Sequence, residues 1–180
     1  MLSVRIPGAE WFDDRTQTFE KTKTWELQLE HSLVSVAKWE AKWGKPFLSH
    51  EQKTQEQCAD YIRCMTITPN VDPKVYEIIP AEVYTEVNKY IDAPMTATWF
   101  NDKGRGPKNR EVITSEIIYY WMISLGIPFE CQKWHLNRLI TLIRVCNVKS
   151  EPGKKMARKD LFAQNRSLNA LRRQRFGTKG

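Results

Sequence analysis

The chain lacks the signatures of an enzyme, a metal site and a membrane span. It contains no Gly-x-Ser-x-Gly elbow, and the Gly-Arg-Gly-Pro-Lys segment at 104–108 lacks both the Gly-Lys-Ser/Thr ending and the helix start of a phosphate-binding loop. The three histidines, His31, His50 and His135, do not share a zinc-binding spacing. No run of eighteen apolar residues occurs. We therefore predict a protein with no catalytic residues, no cofactor, no metal and no membrane contact.

Cysteine is scarce, and its pattern excludes a redox motif. The four cysteines, Cys58, Cys64, Cys131 and Cys146, form no Cys-x-x-Cys pair. The N-terminus lacks the apolar run of a signal peptide, so we expect a cytoplasmic protein whose thiols are reduced and buried as small hydrophobic groups. We likewise expect His135 to be a hydrogen-bonded structural histidine.

Positive charge is concentrated at the end of the chain. Residues 149–180 contain ten Lys and Arg against two acids, a net charge of +8. The whole chain carries +7, so residues 1–148 sum to about −1. We predict a near-neutral globular domain over residues 1–148 and a basic tail over residues 149–180.

The alternation of apolar and polar residues predicts strands in the first thirty residues. Leu2, Val4 and Ile6 alternate with polar residues, as do Trp25, Leu27 and Leu29, and Phe19 indicates a further strand between them. We therefore expect a small antiparallel sheet over residues 1–30.

Helical spacing begins at His31 and continues through a helical body over residues 31–148. Gly44 and Pro46 end the first predicted helix, Thr54 to Gln57 has the form of a capping box, and Pro follows Asp72 at a helix start. Further helices are predicted after Pro80, over 117–125 and over 130–146, and a β-hairpin is predicted near 95–113. The fold class is α+β, mainly α.

The helices on either side of Gly126 have the spacing of a helix-turn-helix. The second of them carries Gln132, Lys133, Asn137, Arg138 and Arg144, but these residues are set among many apolar ones. An antiparallel helical hairpin in the core explains this spacing better.

The tail combines charge with a hydrophobic stripe. After a linker over 149–155, residues 156–176 have helical spacing, with leucines on one side and arginines on the other. A tail that only carried solvated charge would not need leucines at this spacing, so we interpret it as an amphipathic basic helix that binds a partner. The predicted contacts are Leu161, Leu168, Leu171, Arg166, Arg172, Arg173, Arg175 and Phe176.

Several segments resemble a family of proteins encoded among the tail genes of long-tailed phages, which is associated with tail assembly chaperones. The resemblance covers almost the whole chain and is strongest over 127–138, Ile-Pro-Phe-Glu-Cys-Gln-Lys-Trp-His-Leu-Asn-Arg. The other segments that carry it are 27–35, 38–40, 45–48, 95–100, 116–122, 168–173 and 177–180.

The resemblance implies a chaperone that coats the tape-measure protein in the host cytoplasm. Such a protein would form homo-oligomers along this long helical client and would then be displaced by tail-tube subunits. Two alternatives remain open. The chain is a structural component of the virion tail or head–tail connection, or it is a nucleic-acid-binding protein whose binding falls steeply as salt rises.

Overall fold

The computed structural model describes residues 1–100 except 9, 14, 16 and 22, residues 112–150, and Arg166. The chain divides into two compact units, Met1–Cys146 and Asn147–Gly180. The described residues form four strands, five α-helices and two 3₁₀ helices. The predicted α+β, mainly helical fold is therefore confirmed.

The first and last strands of the N-terminal region pair with each other. β1 (Leu2–Ile6) and β4 (Trp25–Leu29) are antiparallel, with Val4 opposite Leu27. Alternate side chains of both strands point into the core, as the period of two requires. These buried side chains are Val4, Ile6, Leu27 and Leu29.

The two middle strands form a separate sheet. β2 (Glu10–Asp13) pairs antiparallel with β3 (Thr18–Lys21), and neither joins the β1–β4 pair. The further strand expected around Phe19 is confirmed, but the single expected sheet is two two-stranded sheets.

Helices form the body of the protein, and local motifs define both ends of the first helix and the start of the second. Ser32 and Ser35 make a capping box at the start of α1, and Gly44 ends this helix in the left-handed region with φ +59°. Thr54 and Gln57 form the predicted capping box of α2. The α-helices are α1 (Leu33–Trp43), α2 (Gln55–Met65), α3 (Ala81–Asp92), α4 (Ser115–Ser124) and α5 (Leu136–Ser150), and the 3₁₀ helices are Pro73–Glu77 and Phe129–Lys133.

A single hydrophobic core joins the β1–β4 pair to the helices. Its largest member is Trp39 of α1, which is 1% exposed and donates its indole N–H to the carbonyl of Gln57 at 2.9 Å. The α-helices contribute eight further fully buried side chains, namely Leu33, Val36, Ile62, Met65, Ile118, Met122, Leu136 and Leu139.

The predicted hairpin near 95–113 is wrong in its first half. Residues 95–100 form no strand, and Trp99 is 82% exposed. β-propensity becomes a strand only where a neighbouring strand and a packed face exist. Here the hydroxyl of Thr96 instead accepts the backbone N–H of Thr98 at 3.1 Å, a local bond that replaces pairing. Residues 101–111, including the Gly-rich segment 104–108, lie outside the described residues.

The helix predicted over 130–146 is divided. A 3₁₀ helix over Phe129–Lys133 is followed by a break, and α5 starts only at Leu136. The break arises because His135 forms a β-bridge with Ser32, and the N–H of Leu136 donates to the carbonyl of His31 at 2.7 Å. At its other end α5 includes Lys149 and Ser150, so the linker predicted from 149 does not start there.

Candidate partner-binding surface

The predicted partner-binding residues of the tail fall almost entirely outside the described residues. Arg166 is described, and it is exposed and helical. The others are Leu161, Leu168, Leu171, Arg172, Arg173, Arg175 and Phe176. The surface described below therefore belongs to the first unit of the chain.

A buried carboxylate fixes the start of helix α4. Thr114 is the N-cap residue of α4, but its side chain makes no capping bond. Instead Glu40 of α1, 7% exposed, accepts the N–H of Ser115 at 2.8 Å through Oε2. Its Oε1 accepts the N–H of Phe47 at 2.7 Å. A negative group at a helix N-terminus is favoured by the free N–H groups and the helix dipole, so Glu40 anchors α4 to α1.

The two sides of α4 differ in what they contact. Ile118 and Met122, one turn apart, are fully buried. On the other side Tyr120 is 66% exposed and Ile123 is 63% exposed, and their spacing of three places them next to each other. Single exposed apolar residues are ordinary, whereas adjacent ones on a rigid helix are typical of an interaction surface.

The 3₁₀ helix after α4 extends this surface. The ring of Phe129, 53% exposed, lies 6.3 Å from the ring of Tyr119, the residue before Tyr120. The hydroxyl of Tyr119 donates to Oε1 of Gln132 at 2.8 Å, which ties the two elements together. We call Tyr119, Tyr120, Ile123 and Phe129 the α4 face.

Acidic side chains border the α4 face. Glu116 lies one turn before Tyr120 and is exposed, and Glu130 is exposed beside Phe129. The pKa of Glu116 is lowered by hydrogen bonds from its own backbone N–H and from the side chain of Thr114, so its carboxylate is charged at neutral pH. An apolar surface with this border favours a partner that is apolar and basic.

Two histidines that are distant in the sequence meet in the core. The rings of His31 and His135 are 5.0 Å apart, and both are buried. Nδ1 of His31 lies 2.5 Å from the hydroxyl of Tyr61. Nε2 of His135 donates to the carbonyl of Tyr90 at 3.0 Å, and its Nδ1 accepts the N–H of Asn137 at 3.3 Å. The hydrogen bonding predicted for His135 is confirmed.

The environment keeps this histidine pair neutral. Burial, with a smaller contribution from His135, lowers the pKa of His31 to about 3, and burial also lowers the pKa of His135. Burial raises the pKa of Tyr61, so its hydroxyl stays protonated and can donate to His31. The pair is packed and hydrogen-bonded within the protein, which is what a structural role requires.

We also looked for metal-binding groups and paired cysteines. No group of three or more His, Cys, Asp or Glu side chains in the described part of the chain is arranged to hold a metal ion. All four cysteines are free thiols, with Cys131 buried and the others half-buried.

Polar residues that a recognition helix would use to contact DNA instead make contacts within the protein. Asn137 donates to the carbonyls of Ile91 and Ala93, both at 2.9 Å. The guanidinium of Arg138 lies 4.2 Å from the ring of Trp134, and that of Arg144 lies over Phe100. The intervening 3₁₀ helix also departs from the predicted helical hairpin, so α4 and α5 are not joined by a short turn alone.

Sequence reasoning did not identify the α4 face. The helix predicted over 117–125 is part of the helical hairpin that we expect in the core, yet one of its sides is exposed. The sequence does contain one signal for it. Tyr120 and Ile123 give this helix more apolar residues than a single buried face needs.

Comparisons with protein-family models, curated proteins and solved structures found no match. Among the helices within the described ranges, none has both the length and the apolar character needed to cross a bilayer.

Proposed function

We propose that this protein is a non-enzymatic phage tail assembly chaperone that binds the tape-measure protein through the α4 face. The observation that carries the proposal is the exposure of Tyr120 and Ile123 next to each other on α4, with the exposed Phe129 close to Tyr119 of the same helix. These elements are anchored by the Glu40–Ser115 and Tyr119–Gln132 hydrogen bonds. The resemblance of the sequence segments to tail assembly chaperones supports the choice of client. An apolar helical face is suited to a partner helix, which offers a complementary stripe.

The strength of such a contact suits a chaperone. Burying one large apolar side chain contributes about 1.5–3 kcal/mol, whereas association costs about 4–15 kcal/mol. Three partly exposed side chains therefore give weak and reversible binding. Several copies bound along one long client would add avidity, and tail-tube subunits could still displace them.

The basic tail is the second proposed contact. Its stripe of Leu161, Leu168 and Leu171 would pack on the client, and Arg166, Arg172, Arg173, Arg175 and Phe176 would border that contact. The acidic border of the α4 face and the basic tail then select different segments of the client by charge.

Co-expression with the tape-measure protein tests the proposal. We expect Ile123→Asp to reduce the amount of soluble, co-purifying client several-fold, because a charge on this face must be desolvated on binding. Ile67→Asp is the matched control, since Ile67 is 54% exposed and lies in the loop after α2, away from α4 in the sequence. Equal co-purification with both variants and with a chain lacking residues 151–180 would contradict the proposal.

The charge of residues 149–180 favours nucleic-acid binding as a second candidate. A net charge of +8 over thirty-two residues is enough for salt-sensitive binding to DNA. A titration of DNA binding against salt distinguishes the two functions: the chaperone should keep part of its client affinity at high salt, because apolar contacts are not screened. The remaining alternative, a structural part of the virion, predicts that the protein is found in purified phage particles, whereas a chaperone should be absent from them.

A further inference from the structure

A small cleft between α2 and α3 has features of an anchor site. It has a volume of about 80 Å³ and is lined by residues of α2, of α3 and of the segment that connects α1 to α2. We call its buried lining residues the floor and its two polar lining residues the mouth. The floor is Phe47, Tyr61, Ile62 and Val87, the mouth is Lys53 and Asn88, and the half-buried Cys58, Tyr84 and Ile91 complete the lining.

The floor of the cleft is rigid. The rings of Phe47 and Tyr61 stack with centroids 3.9 Å apart and an interplanar angle of 28°. The hydroxyl of Tyr61 is held by His31, and the N–H of Phe47 is held by the buried Glu40. A ligand entering the cleft would therefore meet a preformed surface, which reduces the entropic cost of binding.

Lys53 places a positive charge at the mouth. Its ammonium lies 4.6 Å from the ring centroid of Phe47 and 5.8 Å from that of Trp39. None of the ion pairs among the described residues involves Lys53. A cation held over aromatic rings without a carboxylate partner is complementary to a negative group that arrives with a ligand.

The size of the cleft determines what it can hold. One water needs roughly 10–15 Å³, and pockets for cofactors or drug-sized ligands are about 300–1,000 Å³. A cleft of about 80 Å³ is too small for the second class and fits one large apolar side chain. We propose that the α2–α3 cleft takes a Leu, Met or Phe side chain of a client helix whose neighbouring Asp or Glu pairs with Lys53.

This inference rests on the proposed function for the identity of the client, and it adds a binding motif within that client. The α4 face favours basic apolar segments, whereas the cleft favours an acidic residue beside an apolar one. A client bound at both places would need the two motifs in different segments. The cleft is thus a separate determinant of which stretches of the tape-measure protein are covered.

Binding of overlapping synthetic peptides from the tape-measure protein to the full chain tests the inference. We expect the peptides that bind to contain an acidic residue beside a large apolar one. Lys53→Glu should weaken their binding about tenfold, because attraction becomes repulsion. Lys89→Glu, an exposed charge reversal on α3 outside the cleft lining, should leave it unchanged. Asn88→Trp should block the mouth without altering the floor.

Cys58 provides an independent readout inside the cleft. Bound peptide should slow its alkylation several-fold, measured by mass spectrometry of proteolytic fragments, whereas Cys146 in α5 should react at an unchanged rate. The inference would be overturned if the peptides bound both Lys53→Glu and Asn88→Trp as tightly as the unmodified protein. It would also be overturned if none of the bound peptides slowed the alkylation of Cys58. The proposed function has its own test. If the cleft binds no peptide but Ile123→Asp still reduces co-purification of the full-length client, the inference fails and the proposed function stands.

Discussion

The carboxylate of Glu40 accepts the backbone N–H of Ser115 at 2.8 Å, although the two residues belong to different helices. This bond replaces the missing side-chain cap of Thr114 and positions α4. The exposed α4 face therefore depends on a buried residue of α1.

Glu40→Gln should lower the free energy of unfolding by about 2 kcal/mol, since a buried N–H loses a charged acceptor. The amide has one acceptor oxygen, so it cannot serve both Ser115 and Phe47 as the carboxylate does. Urea denaturation measures the loss. Glu86→Gln, on the exposed side of α3, should change stability by less than about 0.5 kcal/mol. Equal effects of the two substitutions would refute the anchoring role of Glu40.

Stability should fall as the pH drops from 7 to 5. The unfolded chain protonates His31 near pH 6.5, whereas the folded protein does so only at about 3, so the unfolded state binds more protons in between. The stabilising contribution is complete above pH 6.5 and is lost progressively toward pH 3. The expected loss from His31 between pH 7 and pH 5 is about 2 kcal/mol, and the lowered pKa of His135 acts in the same direction.

Urea denaturation at pH 7, 6 and 5 measures this dependence. His31→Gln should flatten it, because the variant loses the titrating group but keeps a polar partner for Tyr61. A stability that does not change between pH 7 and pH 5 in the unmodified protein would be inconsistent with a neutral buried pair.

Gly44→Ala should destabilise the protein by about 1 kcal/mol, because Gly44 has φ +59° and an alanine there is strained. No heavy atom lies within 4 Å of the added Cβ, so the cost is one of backbone conformation alone. Gly44→Asn should cost less, since asparagine tolerates this region. Thermal unfolding compares the two variants, and an equal loss for Ala and Asn would point to a cause other than the backbone angle.

Local motifs accounted for much of the fold. The Thr54–Gln57 capping box, the stop at Gly44 and the alternation along β1 and β4 each act within a few residues, so the sequence displays them directly. Residues 95–100 show the limit of this reasoning. They have β-propensity, but none of the strands in the described part of the chain pairs with them.

The features that define the candidate surfaces depend on long-range packing. Nothing near Glu40 in the sequence indicates that it reaches Ser115, and His31 and His135 meet only because the chain folds back. The apolar excess of α4 was visible, but which of its sides stays exposed is decided by α1 and the 3₁₀ helix. The α2–α3 cleft likewise needs three separate segments to converge.

Hydrogen exchange of the full chain, with and without the tape-measure protein, tests whether the client binds the α4 face. Bound client should slow amide exchange in fragments covering residues 112–133, which contain the α4 face, more than in fragments from β2 and β3. We expect this protection in the unmodified protein and a smaller effect in Ile123→Asp. Exchange over residues 112–133 that is unchanged while the client is bound would contradict it.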